Sequence, residues 1–239
     1  MAADGGWFRT RLGEAVAIIL SILIAFGIDA GWDEWQERQE ESDILTALRS
    51  EYESNLVLVQ EVIDLHAGHM EDLEIVSGLT PADYDTMSVN TASRLVLALA
   101  NPWTFNPELG TTETLFGSGR IALVRDSELG EMLTTFVNFV EDAEEDADFI
   151  RDGSEYVWRQ QYRHGGPWFN AEVERSSKGT LSRLQSIPAA GPEDLRRLWA
   201  DSLVRGGGRM NQINVAYYLI ELERIRGQIE LILDRLPDS

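Results

Sequence analysis

The stretch that decides the fold runs from Leu45 to Val76 and reads LTALRSEYESNLVLVQEVIDLHAGHMEDLEIV. Every third or fourth position is apolar or weakly polar, without a break. These positions are Leu45, Leu48, Tyr52, Asn55, Val59, Val62, His66, His69, Leu73 and Val76, called the stalk seam below. A seam of more than four heptads is typical of coiled-coil or long-hairpin packing. Gly78 and Pro81 predict the end of the helix.

A second seam of the same spacing lies near the other end of the sequence. Its apolar positions are Val215, Tyr218, Leu222, Ile225, Ile229 and Ile232. They predict a helix over 211–236 that packs on the stalk seam, either within one chain or between chains. The run Gly206-Gly-Gly208 before it predicts a hinge or turn. It is not a phosphate-binding loop, because no Lys-Ser/Thr follows it.

The N-terminal region carries a segment that is apolar enough to enter a membrane. Residues 15–28 contain no charge, and as a helix they would span ~21 Å, less than the hydrocarbon core of ~30 Å. Trp7 lies before this run, and Trp32 and Trp35 follow it. Because tryptophan is enriched at both membrane–water interfaces, we predict a single transmembrane helix over 7–30 with these three residues as interfacial anchors.

Two other interpretations of this segment stay open. A cleaved signal peptide has an apolar run of this length, and Ala25-Phe-Gly27 is a tolerable cleavage site. A buried or interfacial soluble helix is the second. For a membrane helix, Arg9 and Arg11 precede the span and four acids lie within 29–37. The positive-inside rule then predicts a bacterial inner-membrane protein with a cytoplasmic N-terminus and a periplasmic large domain.

Small residues recur along one side of the predicted span. Gly13, Ala17, Ser21 and Ala25 are spaced by four, and such a ladder lets two helix backbones approach closely in lipid. Glu14 lies in the first turns of the span, where a carboxylate is costly and usually faces a partner or water. It either pairs with a nearby arginine at the cytoplasmic interface or, with Ser21 as the other polar side chain, forms a cation site in an oligomer.

Shorter helices are predicted between the two seams. They are expected over 91–100, over 111–119, from Asp126 or Ser127 to 148, through 156–162 and over 193–204. The loop 103–107 is expected to expose its two aromatic residues. The acidic run 141–148 lacks the glycine of a calcium loop and favours a solvated helix face.

The fold class follows from these patterns. Neighbouring runs of period two joined by a hairpin turn do not occur, so we predict an all-α protein. Its expected parts are an N-terminal stub and transmembrane helix (1–30), a stalk helix (31–78), a helical middle region (79–205) and a C-terminal helix on the stalk (206–239).

Composition and motifs narrow the classes of function. Of 239 residues, 44% are hydrophobic and 26% charged, which is ordinary globular usage. The net charge of −21 argues against a nucleic-acid partner, because binding a polyanion needs Lys and Arg. The absence of Cys excludes disulfides and thiolate sites. Walker, dinucleotide, zincin, EF-hand and G-x-S-x-G patterns are missing, so we predict neither an enzyme nor a cofactor.

Two histidines form the one pair with metal-ligand spacing. His66 and His69 are three residues apart on the stalk seam, and Asp64 or Asp72 could add an oxygen ligand. The favoured interpretation is structural, with both side chains as polar members of the seam. A metal site and a seam that loosens when the histidines are protonated are the alternatives.

Two groups of motifs resemble an uncharacterised bacterial membrane-protein family with a domain of unknown function. The first is Glu14, then Ile18-Ile-Leu-Ser-Ile-Leu-Ile-Ala25, then Trp32-x-x-Trp35-x-Glu37. The second runs from Thr111 to Asp126, with a Ser118-Gly119 turn followed by Ile121 and Leu123. The resemblance spans roughly 12–140 and implies a one-pass inner-membrane protein with a helical domain. It implies no activity.

Together these patterns predict a non-enzymatic membrane scaffold or sensor. Its expected partners are the lipid bilayer and further copies of itself, through the small-residue ladder and the stalk seam, while a small-molecule ligand is not indicated. A homo-oligomeric cation pore with Glu14 in the bundle is the first alternative. A membrane-anchored periplasmic enzyme of unknown chemistry is the second.

Overall fold

The computed structural model describes residues 5–166 and 189–237, and it describes the backbone alone over 5–19. Seven α-helices and one 3₁₀ helix follow one another in these ranges. They are α1 (Gly5–Gly78), α2 (Pro81–Thr86), α3 (Val89–Ala98), α4 (Gly110–Gly117), the 3₁₀ helix (Arg120–Leu123), α5 (Ser127–Tyr162), α6 (Pro192–Ala200) and α7 (Ser202–Arg235). Over these ranges the prediction of an all-α fold is confirmed.

Helix α1 is one unbroken helix of 74 residues, and no proline occurs in the sequence before Ser77. At the helical rise of 1.5 Å per residue it is about 110 Å long. It ends at Gly78, where the end of the stalk was predicted. Among the described side chains of the helix, Ile44 is the first buried apolar residue and Val76 the last. Residues 20–43 therefore extend beyond the core.

The main core lies between α1, α5 and α7, which pack along one another. Helix α7 runs antiparallel to α1, because Arg226 bonds Gln60 near one end and Arg49 bonds the carbonyl of Leu236 at the other. The stalk seam and the second seam meet here within one chain. Tyr52 packs edge-on against Phe136 of α5, with ring centroids 4.9 Å apart. Burying each such large apolar side chain contributes about 1.5–3 kcal/mol.

A smaller core closes the far end of the bundle. There α3 and α6 pack on the last turns of α1 and on the facing ends of α5 and α7. Leu95, Leu99 and Leu198 are fully buried in it. Asp194 accepts a hydrogen bond from the Gly191 amide, which fixes the start of α6.

The glycine run 206–208 lies inside helix α7, so the predicted hinge is wrong. The helix begins at Ser202, and the Asp201 side chain accepts a hydrogen bond from the Leu203 amide at 2.8 Å to cap it. A Cβ on Gly207 would lie 2.8–2.9 Å from the side chains of Tyr156 and Val157. Close packing of α7 on α5 therefore explains the glycine at 207, and the expected domain boundary at 206 falls within a helix.

Two further helix boundaries differ from the sequence prediction. The helix expected over 193–204 is divided, because α6 ends at Ala200 and α7 begins two residues later. Conversely, the helix expected to end with the acidic run 141–148 and the helix expected through 156–162 are one, α5. Most of that acidic run is exposed, in agreement with the predicted solvated face. Asp126 caps α5 as predicted, accepting from the amides of Glu128 and Leu129.

Candidate functional site

Helix α1 presents apolar side chains to solvent before it enters the core. Six large ones lie between residues 20 and 28, and each is 48–67% exposed. They are Leu20, Ile22, Leu23, Ile24, Phe26 and Ile28. Contiguous apolar surface of this kind marks contact with a protein or a membrane. We call residues 20–28 the exposed apolar segment.

The exposed apolar segment is apolar around most of its circumference. Successive residues of an α-helix are rotated by about 100°, so the six large side chains cover about two thirds of the circle. The remaining sector holds Ser21 and Ala25, which are also exposed. An amphipathic surface helix has one apolar stripe and an opposite polar face. This segment has large apolar residues on most sides and small residues on one.

Two tryptophans follow the exposed apolar segment within two turns. The rings of Trp32 and Trp35 lie 5.1 Å apart, and both are more than half exposed. Glu34 and Arg38 then form an exposed ion pair of 2.6 Å. The hydrogen bond from Arg38 lowers the pKa of the Glu34 carboxyl, so this turn keeps its charges. The helix thus changes from apolar to charged through a pair of aromatic residues.

Several residues that the sequence singled out lie outside the described side chains. These are Trp7, Gly13, Glu14 and Ala17, whose backbone alone is described as part of α1. The structure therefore places only Ser21 and Ala25 of the predicted ladder. Among the residues that the structure describes, no helix is both long and apolar enough to cross a membrane. The transmembrane helix over 7–30 stays a prediction.

Among the described side chains, ion pairs join α1 to the 3₁₀ helix and the residues after it. Arg125 pairs with Glu37 at 3.8 Å and with Glu41 at 3.5 Å, and Arg120 pairs with Glu40. Beside these pairs lies an open cleft of about 490 Å³, within the size range of small-molecule sites. Its lining includes Glu40, Asp43, Ile44, Thr111, Leu115 and Arg120. Because Arg120 and Glu40 are paired with each other, the cleft combines one further carboxylate, Asp43, with threonine hydroxyls and a short apolar wall.

A buried carboxylate fixes helix α4 on the stalk. Glu51 accepts hydrogen bonds from the amides of Thr111 and Thr112 and from the Thr112 hydroxyl at 2.6 Å. These amides are in the first turn of α4, whose own N-cap residue supplies no side-chain bond. A carboxylate is favourable at a helix N-terminus because the helix dipole is positive there. Glu51, a residue of α1, therefore caps the N-terminus of α4.

Buried polar side chains also hold the loop 101–109. Asn55 accepts from the amide of Glu108 and donates to its carbonyl, each at 2.7 Å. His66 Nε2 lies 2.8 Å from the carbonyl oxygen of Trp103. The hydroxyl of Tyr218 accepts from the Phe105 amide at 2.7 Å. These bonds satisfy the backbone of an irregular segment away from water.

His66 and His69 are members of this polar cluster. His66 is fully buried, and burial lowers its pKa to about 4. His69 Nδ1 lies 2.7 Å from the carbonyl oxygen of Leu65 and 2.9 Å from Asn101 Nδ2. Among the side chains described over 20–166 and 189–237, no group of three or more potential ligands is arranged to hold a metal ion. This geometry supports the structural interpretation of both histidines.

The loop aromatics differ from expectation in one respect. Trp103 is 63% exposed, as predicted, but Phe105 is buried in the main core. The hydrogen bond from the Phe105 amide to Tyr218 turns this residue inward. The third histidine, His164, lies 3.0 Å from Asp201. Since Asp201 also caps α7, that pair is part of a helix end.

Sequence reasoning missed Glu51 and Asn101. Glu51 is one of many acids on α1, and its role depends on a helix 60 residues later, which no local pattern reveals. For Asn101, the dipeptide Asn-Pro indicated a helix end but not a partner for two histidines. Comparison with protein-family models, curated proteins and solved structures found no match for this chain.

Proposed function

We propose that the chain is a non-enzymatic, single-pass protein of the bacterial inner membrane that self-associates and acts as a scaffold or sensor. The observation that carries the proposal is the exposed apolar segment 20–28 on an unbroken helix that continues into the core. Lipid would cover large apolar side chains that point in most directions around one helix. The charged turn after Trp35 would lie in the aqueous phase.

The distribution of residue sizes supports self-association in the membrane. The sector of Ser21 and Ala25 is the one that lacks large side chains, and the predicted ladder continues along it to Ala17 and Gly13. In lipid, helices associate through such small residues because their backbones can approach closely. A second copy would face this sector, and lipid would face the rest.

The continuity of α1 supports a role as scaffold or sensor. Ile28 and the first buried residue, Ile44, are 16 residues apart on one helix, a distance of about 24 Å. No glycine-dependent turn or loop separates them, so a rotation or tilt of the anchor would reach the core directly. The ion pairs of Arg120 and Arg125 with this part of α1 are the first contacts that would sense it.

Alkaline washing of membranes tests the anchor. We expect the full-length protein to stay in the washed membrane pellet, and the variant Leu23→Arg with Ile24→Arg to be lost from it, because an arginine inside the apolar run costs up to about 2.5–3.5 kcal/mol on insertion scales. Val57→Arg is the matched control, since Val57 is an exposed apolar residue of the same helix beyond the segment. Recovery of the unaltered protein in the alkaline supernatant would refute the anchor.

Larger side chains at two positions of the small-residue ladder test its role. Ala17→Leu with Ser21→Leu is expected to weaken assembly, measured as the mass of the detergent-extracted protein, because leucine separates the two backbones. Ile24→Leu lies on the large-residue side and serves as the control of equal hydrophobicity. An unchanged mass in the double variant would remove the ladder from the proposal.

A further inference from the structure

Helix α7 carries a second apolar stripe on the side that faces away from the core. Its members are Leu203, Met210, Ile213, Tyr217 and Ile220, each 44–63% exposed. Together with Gly206, these residues follow one another along the sequence at steps of three, four, three, four and three residues. We call this stripe the outer seam. The second seam, which α7 packs against α1, has the same heptad spacing.

Two aromatic residues of α5 widen the outer seam on one side. Phe149 and Tyr156 are 61% and 42% exposed. Phe149 lies beside the seam, because its carbonyl accepts a hydrogen bond from Asn214 at 3.3 Å. Tyr156 lies next to Gly207, whose Cβ would meet its ring. The surface therefore consists of seven large apolar side chains on two antiparallel helices.

We propose that the outer seam binds the outer seam of a second copy of this chain in a parallel, in-register dimer. Half-exposed side chains of this size offer roughly 100 Å² each, so the surface amounts to roughly 700 Å² per copy, close to the ~800 Å² per partner of a stable interface. The stripe is about 26 Å long from Leu203 to Ile220.

The parallel arrangement rests on the proposed membrane anchor. Two copies anchored the same way in one bilayer can be related only by a two-fold axis along the membrane normal. Helix α7 runs alongside α1, so with α1 upright the two α7 helices are parallel and at the same height. Each residue of the outer seam then meets its own counterpart, as in a parallel two-stranded coiled coil.

Charge opposes this contact and makes it dependent on salt. Each chain carries −21, and the two domains repel one another at low ionic strength. The apolar seam must overcome this repulsion. Since salt screens charges beyond about 10 Å at 0.1 M, association through the outer seam becomes stronger as salt is added.

Single-cysteine crosslinking in membranes tests the proposal, because the chain contains no cysteine. In the full-length protein, Ile213→Cys is expected to give a disulfide-linked dimer under mild oxidation, since counterparts across a parallel seam come within disulfide reach. Glu223→Cys, an exposed position about 80° from Ile213 around α7, is the control and stays monomeric. Adding Met210→Glu and Tyr217→Glu to Ile213→Cys lowers the crosslinked fraction at least tenfold.

Three results would overturn the proposal in different ways. If Ile213→Cys is as monomeric as Glu223→Cys in washed membranes, the outer seam is not a dimer contact, although the anchor stands. If mixed copies with Met210→Cys and Ile220→Cys crosslink to each other, the helices are antiparallel. A crosslinked dimer that is recovered only outside the membrane refutes the anchor and, with it, the reason for the parallel arrangement.

Discussion

Replacing Gly207 by alanine sets two opposing effects against each other in α7. Alanine is about 1 kcal/mol more favourable than glycine inside a helix. Its Cβ, however, would lie 2.8 Å from Tyr156 Cδ1 and 2.9 Å from Val157 Cγ2. The Tyr156 ring is partly exposed and can move, whereas Val157 is fully buried and has a stiff, branched side chain.

The steric effect is expected to prevail at Gly207. Inserting a methyl group into a packed contact costs about 1–3 kcal/mol, so Gly207→Ala should lower the free energy of unfolding by up to about 2 kcal/mol after the gain in helix propensity. At Gly206 and Gly227 a Cβ meets no atom within 4 Å. Gly206→Ala and Gly227→Ala should therefore stabilise the protein by about 0.5–1 kcal/mol.

Thermal unfolding of the full chain in mild detergent, followed by circular dichroism at 222 nm, measures these differences. For a protein of this size, 1 kcal/mol corresponds to a shift in Tm of about 2–4 °C. Gly207→Ala should thus unfold below the unaltered protein, and the two controls above it. Equal stabilisation at all three positions would refute the close packing of α7 on α5 at Gly207.

Two further predictions concern buried polar residues of the stalk. Burial lowers the pKa of His66 to about 4, from about 6.5 in the unfolded chain, so the unfolded chain takes up the proton first as the pH falls and about 2 kcal/mol of stability should be lost between pH 7.5 and 5. Denaturant titrations at the two pH values should show a smaller loss for His66→Gln. An equal loss in the variant and the unaltered protein would contradict the assignment to His66. Glu51→Gln should lower the free energy of unfolding by about 1–3 kcal/mol, because the amides of α4 lose a charged acceptor. The control Glu74→Gln, at an exposed position of the same helix, should change it by less than about 0.5 kcal/mol. Similar unfolding midpoints for the two variants would exclude capping by Glu51.

The heptad pattern was sufficient to predict the long helices. Stalk-seam positions such as Leu48, Tyr52 and Val59 are buried as expected, because a spacing of three and four aligns them on one face of any helix. The sequence left open whether the seams meet within one chain or between chains. In the structure they meet within one chain, so the stalk seam is not a surface available for self-association.

Local patterns failed where distant parts of the chain determine the outcome. Three consecutive glycines favour a turn by propensity alone, yet packing of Gly207 against Val157 keeps them helical. Phe105 was expected to be exposed because it lies between prolines, but the hydroxyl of Tyr218, 113 residues away, holds its amide inside. The side chains of Glu14 and Ala17 lie outside the described residues, so the most distinctive part of the candidate site rests on sequence.

The polar cluster around the loop 101–109 also determines which alignment of the helices is allowed. Two helices that pack through apolar heptad seams can shift along each other by seven residues with little loss of packing, since apolar side chains again meet apolar side chains. Such a slip of α7 along α1 would move the Tyr218 hydroxyl about 10 Å from the Phe105 amide and leave a buried donor unpaired. Asn55 and His66 bind the same loop from α1. The loop therefore allows only one relative height of α1 and α7.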